Sequence, residues 1–254
     1  MIKSFYYQSN NAGDTLTPII VEFFTGQKVE FVERNAQGKL LAVGSIMKAL
    51  RPNDVVWGAG IMRKTDTFPS VLKAKFLAVR GRRSADILRQ AGAEVPEVYG
   101  DPALLLPLIY KPKTQLKYKM GIIPHYIEHN DPVFKRLKTS ENELMIDITQ
   151  PWQKVIDDIL SCEFIVSSSL HGLIIAEAYN VPVQWLKVSD KVLGNGFKFE
   201  DYLTGTGRIL PEPHTLPNEK ENDFKALYAF QPIDPQLLAQ IQNNLINSLK
   251  KHYA

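Results

Sequence analysis

IVSSSLHGLIIAEAYNVPVQWL, Ile165 to Leu186, is the stretch on which the fold turns. The short apolar run EFIVSSS reads as a buried strand, LHGLIIAEAYN as a helix and VPVQWLKV as a second strand. Asn180-Val181-Pro182 closes the helix, because proline cannot continue one and restrains the residue before it. Two apolar strands joined through a helix form a βαβ unit, and such units build parallel sheets. Ser167, Ser168 and Ser169 then end a strand, Leu170 begins the helix, and His171 lies in its first turn. Free backbone N–H groups point outward there and the helix end is positive, so the mouth suits an anion. Gly172 would let a ligand approach closely. The same pattern also fits a serine cap beside a packed histidine.

The alternation extends outward in both directions. IKSFYY, KVEFV, NDVVWGAG and KFLAVRG read as strands, with TLTPIIVEFF, stopped by Gly26, and RSADILRQAGA as helices. The lysine-rich run Ile109–Lys119 reads as a hinge. Beyond it MGIIPHY and ELMIDIT are strands, and PVFKRLKT, WQKVIDDILSC and FKFEDYL are helices. Leu237, Leu238, Ile241, Leu245 and Leu249 recur at helical spacing in a closing helix. The expected architecture is α/β: two Rossmann-like, GT-B-like domains, residues 1–110 and 111–254, facing a central cleft.

Open α/β sheets bind ligands beyond the carboxyl ends of their strands. The loops to inspect are therefore 8–15, 58–64, 80–84, 100–102, 124–130 and 167–172. Gly13 and Asp14 follow the first strand, as a cleft loop or as a turn and helix cap. Arg80 ends the FLAVR strand and is expected to face the cleft, with Arg82 and Arg83 in the loop beyond it. Asp101 sits at another strand end, before a proline, and also reads as a turn aspartate. His125 follows the MGIIP strand.

Composition bounds the remaining classes. Hydrophobic residues are 44%, charged residues 22% and the net charge is +3, which suits a folded α/β protein. That charge is too small to argue for nucleic acid, but is compatible with an anionic ligand or an acidic membrane surface. With Cys162 as the single cysteine, an intrachain disulfide is excluded and a Cys-based zinc site unsupported. The N-terminal segment carries no signal-peptide pattern and no run is long enough to span a bilayer, so a cytoplasmic protein is expected. His125, Glu128 and His129 spell H-x-x-E-H, but Pro124 and Asn130-Asp131-Pro132 leave no room for the sustained helix that zinc chemistry needs. No phosphate-loop or nucleophile-elbow motif is present, and GAGIMR lacks the third glycine of a dinucleotide loop.

The motifs NNAGDTLTP, VWGAGI, AVRGRRS, YGDPALLLP, GIIPHY, SSSLHGLIIAEAYNVP and GNGFKFEDYL, in this order and spacing, resemble the polysaccharide pyruvyl transferases. The resemblance covers most of the chain. It implies two Rossmann-like domains around a cleft, and transfer of the enolpyruvyl unit of phosphoenolpyruvate to two hydroxyls of one sugar. A cyclic pyruvate ketal forms and phosphate leaves. It implies a glycan or lipid-linked saccharide acceptor, with peripheral membrane contact open, and neither metal nor cofactor. Some relatives carry Arg-Leu-His where this chain has Ser169-Leu170-His171, so another cation must grip the donor: Arg80, Arg83 or Lys198. On this reading His171 is the acid that protonates the vinyl carbon, and Asp14 or His125 accepts hydroxyl protons. Two rivals share the fold: a nucleotide-sugar glycosyltransferase, with Glu177 on a ribose, and a non-catalytic anion-binding protein.

Overall fold

The computed structural model describes residues 1–138, 140–208, 214–215 and 232–253. Its strands form two five-stranded sheets. The first contains β1 (Ile2–Ser4), β2 (Val29–Phe31), β3 (Leu40–Leu41), β4 (Val55–Trp57) and β5 (Lys75–Ala78), ordered β2-β1-β3-β4-β5. The second contains β6 (Tyr118–Ile123), β7 (Glu143–Met145), β8 (Cys162–Ser167), β9 (Val183–Lys187) and β10 (His214–Thr215), ordered β10-β9-β8-β6-β7. Every pairing is parallel. Parallel strands need covered faces, which explains why Ile122, Val166 and Val183 are wholly buried.

The α-helices among the described residues are α1 (Leu16–Thr25), α2 (Arg82–Gln90), α3 (Pro132–Leu137), α4 (Trp152–Leu160), α5 (Leu170–Ala178), α6 (Phe197–Gly205) and α7 (Pro235–Tyr253). Gly26 stops α1 in the left-handed region at φ 69°, its N–H bonding to the Glu22 carbonyl. No helix among the described residues is long and apolar enough to cross a membrane.

The strand orders fix where a ligand can enter. In each sheet the winding reverses beside the first strand of that half: between β1 and β3, and between β6 and β8. At such a point the loops leaving neighbouring strands diverge to opposite faces and open a crevice. The sequence reading passed over β3, because two residues are too few to show a period.

The closing helix departs from the expected domain division. Assigned by chain order to residues 111–254, α7 instead packs on the first half. Trp57 Nε1 donates to the Leu245 carbonyl at 2.9 Å, and Gln242 Nε2 to the Leu104 carbonyl at 2.7 Å. Its stripe of Leu238, Ile241, Leu245 and Leu249 is buried there, close enough to Gly100 that a Cβ would stand 2.7 Å from Ile241. An amphipathic pattern announces a buried face but not the sheet that buries it. The main apolar cluster likewise runs through both halves, from Ile2, Leu16 and Ile20 to Ile165, Leu173 and Ile174.

Candidate functional site

The serine turn is built by local hydrogen bonds. Ser167 Oγ accepts from the Ser169 N–H at 3.1 Å. Ser168 Oγ accepts from the His125 N–H at 2.9 Å, tying the turn after β8 to the turn after β6. Ser169 is the N-cap of α5, its Oγ 3.5 Å from the Gly172 nitrogen. Gly172 is closed to a ligand: a Cβ there would meet Ser167 Oγ at 2.6 Å and Ile123 Cγ2 at 2.8 Å. Its expected role as a ligand contact gives way to close packing of α5 on β6 and β8. Ser168 likewise acts as a tie, and Ser169 and Leu170 carry the turn into the cavity described below.

His171 is clamped from the first half. Its ring lies so close to Gly13 that a Cβ on that residue would stand 2.0 Å from His171 Cγ. Nδ1 lies 3.2 Å from Asn11 Oδ1 and 3.7 Å from Asp14 Oδ1. Asn11 Oδ1 also accepts from the Gly13 N–H at 2.9 Å, so it is an acceptor and Nδ1 carries the proton. Nε2 is then the ring position left for a ligand. Asp14 Oδ2 accepts from Ser9 Oγ at 2.7 Å, which aligns the carboxylate beside the ring.

His125 presents the opposite tautomer. Its Nδ1 accepts from the Ile127 N–H at 3.3 Å, which leaves the proton on Nε2. Burial, and then the charges of Lys198 and His171, push its pKa down to about 3. A ring that basic only below physiological pH is a neutral donor and a poor proton acceptor, which counts against the base role considered for it.

These side chains face one cavity of about 350 Å³. Tyr7, Ser9, Asn11 and Asp14 reach it from the loop after β1, and Ser45 from the loop after β3. His125 and Tyr126 reach it from the loop after β6, and Ser169, Leu170 and His171 from the turn after β8. Both switch points thus open onto one space. Met62 and Leu193 add apolar wall, and the last lining residue is Lys198, in the first turn of α6. Its ammonium is buried and makes no hydrogen bond or ion pair with any described residue, its ring contact being Phe199 at 5.6 Å. Burial foremost, and then the charge of Arg80, bring its pKa down to about 8.

Other candidate residues lie elsewhere. Arg80 was expected in the cleft, yet it is fully buried. Nε and Nη2 lie 3.0 and 2.9 Å from Asp201 Oδ2, Nη2 donates to the Ile61 carbonyl at 2.8 Å, and Nη1 to Ser45 Oγ at 2.5 Å. The carboxylate on α6 captures the strand-end charge before a ligand can. Arg83 is exposed, 3.7 Å from Glu200, and does not line the cavity. Asp101 is a fully buried cap that accepts from the Ala103 N–H at 3.0 Å, and burial raises its pKa. Glu177 is buried, accepts from Arg208 through both oxygens and from Tyr202 at 2.6 Å, and does not line the cavity where a ribose would sit. His125 and His129 flank a single 3₁₀ turn, Tyr126–Glu128. Among the described residues no group of three or more His, Cys, Asp or Glu is placed to hold a metal ion. Asn11, Ser9 and Ser45 escaped the sequence reading. Asn11 and Ser9 stand in a loop already singled out, and Gly44-Ser45 follows the strand that was missed.

The fold resembles the crystal structure of an uncharacterised Klebsiella pneumoniae protein, with a TM-score of 0.53 at 13% identity over 85% of this chain and 92% of that one. An uncharacterised protein of Acanthamoeba polyphaga mimivirus is 31% identical over 98% of this chain and 92% of its own length. The succinoglycan biosynthesis protein ExoV of Rhizobium meliloti is 26% identical over 85% of this chain and 68% of its own. The profile of the polysaccharide pyruvyl transferases matches residues 34–190, from before β3 to the end of the second switch point and β9, so the chain belongs to the polysaccharide pyruvyl transferase family.

Proposed function

We propose that the cavity is a pyruvyl-transfer site that takes phosphoenolpyruvate as donor and a hydroxyl pair of a saccharide as acceptor. The observation that carries this reading is the convergence on one cavity of buried Lys198, which has no hydrogen-bond or ion-pair partner among the described residues, the N-terminus of α5 and His171. A ligand with a phosphate and a carboxylate needs a cation and oriented N–H donors in a poorly hydrated site. Lys198 supplies the charge that an arginine at position 169 supplies in some relatives, and Ser169 keeps the helix mouth capped instead.

The steps use His171 as an imidazolium and His125 as a neutral ring. His171, its Nδ1 held by Asn11 and Asp14, gives a proton from Nε2 of the imidazolium to the methylene carbon of the donor. The adjacent carbon becomes oxocarbenium-like, and one sugar hydroxyl adds to it while Asp14 takes the hydroxyl proton. The C–O bond to phosphate then breaks and inorganic phosphate leaves. The proton held by Asp14 leaves with the phosphate, and the second hydroxyl adds to the same carbon and passes its proton to His171 Nε2, which closes the ketal and restores the imidazolium. His125 stays neutral and donates from Nε2 to a ligand oxygen. A nucleotide-sugar glycosyltransferase is disfavoured by the engagement of Glu177 with Arg208 and Tyr202.

The test is phosphate release from phosphoenolpyruvate in the presence of a panel of glycans. Release that depends on one acceptor class supports the reading, and release with none of them opposes it.

A further inference from the structure

We infer that Ser45 is a donor-anion contact, and that Arg80 acts on the bound anion through it. This rests on the reading of the cavity as a phosphoenolpyruvate site. Ser45 is half-buried in the loop after β3 and lines the cavity. Its oxygen accepts from Arg80 Nη1 at 2.5 Å, and its own proton goes to no described residue. A serine that accepts from a guanidinium has its hydroxyl proton left for an acceptor on the other side. The cavity lies on that side. A Cβ on Gly44 would stand 4.0 Å from His171 Nε2 and 3.9 Å from Asp14 Oδ1, so this loop runs alongside the reactive groups. Polarisation by a buried cation makes the hydroxyl a better donor to an oxyanion than an isolated serine would be.

Arg80 is thereby a positioning residue. The surrounding glycines are shaped around it: a Cβ on Gly60 would stand 2.2 Å from its Cζ, and one on Gly205 2.4 Å from its carbonyl oxygen. Asp201 accepts from the Ser84 N–H at 2.6 Å and from Ser84 Oγ at 2.7 Å, besides Arg80. Asp201 lies one turn beyond Lys198 on α6. The same ion pair therefore fixes Ser45 on one wall and Lys198 on another. This accounts for the motifs VWGAGI, AVRGRRS and GFKFEDYL together, although their arginine does not line the cavity.

Isothermal titration of the full chain with phosphoenolpyruvate tests the inference, with the fold of each variant checked by thermal melting. S45A should bind about tenfold more weakly or worse, the loss of one hydrogen bond to a charged group, and S45T should restore most of it. R80K, which keeps a positive charge beside Asp201 but removes the Nη1 donor to Ser45, should weaken binding in the wild-type background and have little further effect in S45A. Wild-type affinity in S45A overturns the serine contact. Additive losses in the double variant overturn the route from Arg80. Failure of the wild type itself to bind phosphoenolpyruvate overturns the cavity reading and this inference with it.

Discussion

His171, on a helix of the second half, is held by Asn11, Gly13 and Asp14 of the first, and these neighbours make its role testable. His171→Gln keeps a polar group of similar reach but cannot deliver a proton. Phosphate release should fall about a hundredfold or more while calorimetric affinity for phosphoenolpyruvate stays within a few fold. Gly13→Ala places a methyl where the imidazole now lies, 2.0 Å from Cγ. That variant should lose about 1–3 kcal/mol in urea unfolding and lose turnover, because the ring must move. Lys198 gives a pH signature. It is faced by Arg80, Asp14, Glu128 and His125, and its pKa of about 8 lies below the ordinary lysine value. The cation is present below that value and is lost above it. Affinity for phosphoenolpyruvate should therefore fall as pH rises through about 8, where a phosphate with a second pKa of about 6 is already fully ionised. In Lys198→Met the affinity should be low and flat over the same range. At this scale the loops after strands pointed to His171 and Asp14, which line the cavity, as does Lys198, one of the three cations considered. Arg80 misled, since its partner Asp201 lies 121 positions away and no local pattern announces it.

Among the elements, short parallel strands followed by capped helices explain most of what could be read. The run from Ile165 to Leu186 became β8, α5 and β9 with the helix starting at Leu170, as its serines and apolar lengths imply. Gly26 stopped α1 for the conformational reason expected of a glycine there. The two-residue β3 gave no signal, and Ser45 was hidden with it. The latch between α6 and the first half is the element-level feature most exposed to mutation. Asp201→Asn leaves a wholly buried guanidinium without its countercharge. Urea unfolding should show a loss of about 3–5 kcal/mol, the cost of breaking a buried pair from one side. A loss below about 1 kcal/mol would mean that the pair contributes little to holding α6.

For the whole molecule, the sequence conveyed the alternation and hence two parallel sheets, but not how the end of the chain is used. Helix α7 returns to the first half, where Trp57 and Leu104 bond to it across the chain. The lysine-rich connection after residue 110 therefore does not divide the molecule at a simple boundary. The apolar cluster spans both halves, and the switch loops of the two sheets line one cavity. The account stands on that geometry, with the donor anion between Lys198 and the N-terminus of α5. A crystal structure with phosphoenolpyruvate bound tests it most directly. The account predicts a phosphate or carboxylate oxygen within hydrogen-bond distance of Lys198 Nζ, and the methylene carbon nearest His171 Nε2. Phosphoenolpyruvate seated away from this cavity, or in it with Lys198 and His171 both uninvolved, would contradict the account.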